Sequence, residues 1–130
     1  MKHVKNATIN HFKGKPLKLP KKDDSDEIEW EDRARGIPVM EEATVAKLVS
    51  LIIESIPRDI FTRQDSIHCS RLWTQAHDSL AKGTGVLDIE DTEWDWLLKQ
   101  VADDKVGAKV FGASTYTVER QLRDLEKESN

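Results

Sequence analysis

The chain has 130 residues, 38% of them hydrophobic and 34% charged, which supports one domain with a lean core under a highly charged surface. Its formal net charge of −4 argues against wholesale binding to nucleic acid or acidic membranes. No apolar run approaches the roughly 20 residues of a membrane helix. Cys69 is the single cysteine, so an internal disulfide is excluded and a reducing compartment fits. Lys2 and Lys5 are not followed by the apolar stretch of a secretory signal.

Residues 1–32 divide into two blocks of opposite sign. Met1 to Lys22 carries seven lysines and no acid, and Asp23 to Asp32 carries seven acids and no base. Within the basic block, Thr8 to Phe12 favours extended backbone, Lys13-Gly14-Lys15 suits a turn, and Leu17-Lys18-Leu19 alternates. Pro16 and Pro20 confine that second run to an edge or a loop. The expectation is a short hairpin or extended arm. The acidic block reads as a solvated linker anchored by Ile28 and Trp30. Residues 1–36 thus form an arm and linker, and 37–130 a helical domain.

The first helix is expected after Gly36, with Pro38 and Glu41-Glu42 in its first turn. Val45, Leu48, Val49, Ile52, Ile53 and Ile56 follow the helical spacing until Pro57 stops it. Thr62-Arg63-Gln64-Asp65 approximates a capping box for a second helix. Its apolar face is read as Cys69, Leu72, Trp73, Ala76 and Leu80, and Gly83 and Gly85 end it. Val86 to Ile89 is a short extended entry to a third helix, capped by Asp91 or Thr92, that buries Trp94, Leu97, Leu98 and Val101. Ser114 or Thr115 caps a fourth, with Val118, Leu122 and Leu125 inward and Glu119–Arg123 on its wet face. Residues 126–130 are expected to fray. The fold class is mainly α, a compact bundle of about four short helices with an N-terminal extended arm or β-hairpin.

Candidate chemistry is sparse. Asp88, Glu90, Asp91, Glu93 and Asp95 are dense in carboxylates, yet they lack the central glycine and alternate spacing of a calcium loop. They read better as acids favouring a helix N-terminus. His68 and His77 stand nine residues apart on one helix, about 13–14 Å along its axis, too far to share a metal. Cys69 beside His68 has neither an activating base nor an orienting group, and reads as a small core residue. Gly83-Thr84-Gly85 leads into a strand-like run and not a helix, so no phosphate loop forms there. No cofactor, metal or small-molecule substrate is indicated, and no enzymatic activity.

The contact-making features are the arm and the tryptophans. Seven lysines can neutralise phosphates without reading sequence, although Phe12 is the only aromatic among them and arginine is absent. An acidic protein surface is a better match than nucleic acid, and the plainest reading of the block is a solubilising tail. Trp94 and Trp96 lie about 200° apart around a helix, so Trp96 must lie against another element, such as the arm, or against a partner. Phe12, Lys13, Lys15, Lys18, Trp30 and Trp96 are the candidate partner-binding residues.

The order of these features, Gly14-Lys15-Pro16-Leu17, the Thr44–Ile56 helix, a basic-acidic helix, then Leu87-x-Ile89-Glu90-Asp91 entering a Trp/Leu-rich helix, resembles small uncharacterised proteins of tailed bacteriophages. The acidic insert Asp23–Asp32 and the second tryptophan depart from that pattern. The resemblance implies a phage accessory or virion-assembly protein, located in the bacterial cytoplasm or the virion, and carries over no site residues. The expected function is a non-enzymatic interaction protein that binds itself or a larger partner through its arm and a Trp96 face. The alternative is a small regulator binding nucleic acid or a host enzyme.

Overall fold

The computed structural model describes residues 1–23, 25 and 27–128. Asp24 and Asp26 of the acidic block, and Ser129 and Asn130 of the expected frayed end, lie outside the described residues. The elements run β1 (Lys2–Lys5), β2 (Lys18–Pro20), β3 (Trp30–Asp32), β4 (Ile37–Pro38), β5 (Met40–Glu42), α1 (Val45–Ser55), α2 (Arg63–Ala81), β6 (Val86–Ile89), α3 (Asp91–Ala102), α4 (Gly107–Phe111), a 3-10 turn (Gly112–Ser114) and α5 (Thr115–Glu128). The fold is therefore mixed, with three two-stranded antiparallel sheets among the described residues, of which β1–β6 packs against α2 and α5. The expected helices and an extended N-terminal arm are present, but the sheet content exceeds the expectation, because β1 pairs with β6 and β2 with β5 across long stretches of sequence.

β1 pairs with β6 in the register Lys2↔Ile89 to Lys5↔Val86. This joins the first residues of the chain to the middle of the helical body, and puts Val4, Leu87 and Ile89 into the core with no exposure. β2 pairs with β5, and β3 with β4 across a bulge. Bridges between Lys22 and Ile28 and between Asn10 and Pro16 continue the ladders. The acidic block is thus not a solvated linker along its length. Residues 28–32 are the outer strand of a hairpin, and Val39 donates to the Glu29 carbonyl at 2.9 Å.

β4 and β5, which follow residue 36, pair with β3 and β2, which precede it. Glu41 and Glu42 lie in β5, not in a helical first turn. α1 begins only at Val45, and its first amides are satisfied from the N-terminal segment: Val45 N–H donates to the Ala7 carbonyl (3.1 Å) and Ala46 N–H to Asn6 Oδ1 (2.9 Å). A helix start left bare would carry orphan donors; here residues 6 and 7 serve as the cap.

The expected helical faces of α1, α3 and α5 supply the core through Val45, Leu48, Val49, Ile52, Trp94, Leu97, Leu98, Val101, Val118 and Leu122. α2 departs from its expected face. Cys69, Leu72, Ala76 and Ser79 are buried, whereas Trp73 is 49% exposed and Leu80 is exposed as well. Ser79 takes the inward position because its hydroxyl donates to the Gln75 carbonyl (2.6 Å) and accepts from Asp88 N–H (2.8 Å), which ties α2 to β6. Gly107 opens α4 at a close approach: a Cβ there would overlap the Val101 carbonyl.

Candidate interaction surfaces and a buried polar network

The six candidate residues fall in four places. Phe12, Lys13 and Lys15 share the turn 11–15, Lys18 lies in β2, Trp30 stands at the opposite end of the arm in β3, and Trp96 is in α3.

The turn follows from Gly14, whose φ of +83° suits glycine. It is closed by His11 N–H to the Lys15 carbonyl and Gly14 N–H to the His11 carbonyl, both 2.9 Å. Phe12 N–H donates to Ser114 Oγ (3.1 Å), and Asn10 exchanges two bonds with the Gln121 amide (2.8 and 2.7 Å), fixing the turn against the start of α5. The Phe12 side chain nevertheless points out, leaving the residue 56% exposed, with Lys13 Nζ 5.7 Å from its ring centroid. Lys18 is held by Glu42 at 3.7 Å.

At the other end of the arm, Trp30 is 40% exposed, and Ile28, Ile37 and Met40 are comparably open. Between β2 and α1 runs a cleft of about 300 Å3, lined by Leu19, Pro20, Ile28 and Leu51 with charged Lys22, Glu41, Lys47 and Glu54 around it.

Trp96 does not form an exposed face. It is 7% exposed, covered by the first turns of α2: its Nε1–H donates to Asp65 Oδ1 (3.0 Å) and its ring stacks on His68 at 5.7 Å between centroids. Neither the arm nor a partner is needed to cover it. Asp65 also closes the expected capping box, accepting from Thr62 N–H (3.0 Å) while its own N–H donates to Thr62 Oγ1 (3.1 Å). Burial works against the Asp65 charge, yet the Trp96 and Thr62 bonds prevail and hold its carboxyl below the usual range.

Sequence reasoning missed Glu93, which it placed among solvated helix-start acids. Glu93 has no exposure. Its carboxylate accepts from His68 Nδ1–H (3.1 Å) and Thr92 Oγ1–H (2.6 Å), with Arg71 Nη1 at 4.0 Å. Burial pushes its carboxyl up, but these partners outweigh it and the net shift is downward. The neighbouring acids disperse to other tasks: Asp88 to His3 (2.6 Å) and Lys82 (3.2 Å). Among the described residues no three His, Cys, Asp or Glu side chains gather as metal ligands.

The network orients His68 between the Glu93 carboxylate and the Trp96 ring. Burial pushes the adjacent Cys69 thiol up to about 11, so thiolate is scarce at neutral pH. Neither His68 nor Glu93 lines the cleft between β2 and α1. The arrangement is suited to cementing α2 to α3. One further surface escaped the sequence reading, the outward stack of Trp73 on His77, centroids 4.8 Å apart; its signal was present in the i, i+4 spacing but was absorbed into the expected core face. Among the described residues no helix is long and apolar enough to cross a membrane. No family model matches the chain, and neither a curated protein nor a solved structure matches it.

Proposed function

We propose that this chain is a non-enzymatic interaction protein, a virion component or assembly factor of a tailed phage, that binds copies of itself through its N-terminal β arm. The observation that carries this reading is the apolar end of the arm. Trp30 and Ile37 in the paired strands β3 and β4, with Ile28 just before β3 and Met40 at the start of β5, are all more than a third exposed, in a chain otherwise rich in charge. Clustered exposed apolar residues including a tryptophan are what interfaces use. The hairpin is also pre-ordered by the pairing of β3 with β4 and by the backbone bonds that join Glu29 and Val39 to Lys21, so little ordering entropy is lost on docking. The phage setting rests on the resemblance in element order.

Sedimentation equilibrium of the full chain tests the reading. A reversible oligomer that Trp30→Ala weakens, with unchanged circular dichroism, supports it. A monomer at the highest soluble concentration overturns it.

A further inference from the structure

The two ends of the arm are complementary. One is a knob: Phe12, projecting from a pinned turn, flanked by Lys13 and Lys15, which make no ion pair among the described residues. The other is the apolar cleft of Leu19, Ile28 and Leu51. Its charged neighbours Lys22–Glu54 and Lys47–Glu41 are already paired at 2.9 Å, and Lys21 sits 3.6 Å from Glu29. Glu27 and Glu31, on either side of Ile28 and Glu29 in the chain, form no ion pair among the described residues, so this end keeps negative charge.

Within one copy the two ends cannot meet. Residues 16–18 separate the turn from Leu19 by roughly 10 Å at about 3.3 Å per residue, and residues 16–22 carry the chain roughly 23 Å toward Ile28 and the acids beside it. That is well beyond the screening length of about 8 Å at physiological ionic strength, and the bonds from Asn10 and Phe12 to Gln121 and Ser114 fix the turn in place.

Building on the self-association reading above, we infer that the Phe12 turn of one copy docks in the Leu19–Ile28–Leu51 cleft of a second copy. Lys13 and Lys15 then lie against Glu27 and Glu31. Knob and cleft are different surfaces, so the contact is head-to-tail and repeats from copy to copy, closing a ring or extending a filament. The ring of Phe12 supplies the apolar burial, and the charges supply register and a salt-dependent association rate.

Light scattering on two full-length variants, Phe12→Ala and Ile28→Arg, separately and mixed, tests this. Each variant alone should self-associate at least tenfold more weakly than the parent, about the loss expected for one buried aromatic ring. Mixed one to one, they should form dimers and stop there, because the first keeps its cleft and the second its knob. Lys13→Glu with Lys15→Glu should weaken association, and Glu27→Lys with Glu31→Lys added in the same chain should restore it. Phe12→Ala associating like the parent, or a mixture that remains monomeric, overturns the inference. If Trp30→Ala alone abolishes association in that case, the broader reading stands. A parent chain that stays monomeric while binding a labelled single-stranded oligonucleotide through Lys13 and Lys15 overturns both.

Discussion

Replacing Trp96 with alanine distinguishes a core tryptophan from an interface one. In the structure the indole is 7% exposed, stacked on His68 and bonded to Asp65. Removing a buried aromatic of this size costs about 3–5 kcal/mol, a large part of the roughly 5–15 kcal/mol that holds a typical domain together. Asp65 keeps its Thr62 partner, so its lost bond adds little beyond that range. For a chain of this length, about 3–5 °C of melting temperature accompanies each kcal/mol, giving a drop of roughly 9–25 °C. Trp96→Phe keeps the ring against His68 and deletes only the N–H, costing about 1–3 kcal/mol for a bond to a charged acceptor together with some lost ring volume. Thermal and urea unfolding followed by far-UV circular dichroism measures both. Trp73→Ala, at the half-exposed stack, should cost less than about 1 kcal/mol. A Trp96→Ala loss below about 1 kcal/mol would refute the burial argument.

Three further outcomes follow from other parts of the structure. Gly107→Ala forces a methyl group into the Val101 carbonyl and should cost about 1–3 kcal/mol, read from the shift of the urea midpoint; an unshifted midpoint would contradict the close approach. Glu93 and Asp65 ionise below their ordinary values of 4.5 and 3.8. A depressed folded value gives stability that is complete above the ordinary value and lost as pH falls through the folded one. Stability should therefore fall as acid is added from about pH 4.5 downward, and Glu93→Gln should flatten that fall; superimposable slopes would remove Glu93 from the account. Cys69, buried and with its thiol pushed up to about 11, should react with a thiol reagent only as fast as the chain opens. Labelling at the rate of a free thiol in the native protein would contradict its burial.

The sequence pattern revealed features held by local physics. The α1 face from Val45 to Ile56 and the Thr62–Asp65 capping box were both legible, since helical spacing and a cap need only neighbours. What escaped was held by distant partners. Glu41 and Glu42 look like good first-turn acids, but strand pairing with Lys18 and Leu19 outweighs that preference. Trp96 looked uncovered because its cover is polar: an aspartate that accepts the indole N–H and a histidine that stacks on the ring carry no hydrophobic signal. Glu93 misled in the opposite way. A glutamate in the first turn of α3 is at home in solvent, and only the placement of His68 twenty-five residues earlier makes its burial affordable.

The same long-range ties decide how the arm must be studied. Removing residues 1–22 looks like a clean way to delete the lysine-rich block. It would take Val4 and Ile9 out of the core, strip β6 of its partner and leave the first amides of α1 without Asn6 and Ala7. Loss of binding by such a truncation would report unfolding, not the loss of a contact surface. Phe12, Lys13, Lys15, Glu27, Ile28, Trp30 and Glu31 avoid this problem, because each is exposed and none belongs to the buried core. Charge reversal and truncation at those positions change what the arm presents while leaving the pairing of β1, β2 and β5 intact, so interaction and stability can be separated in one set of variants.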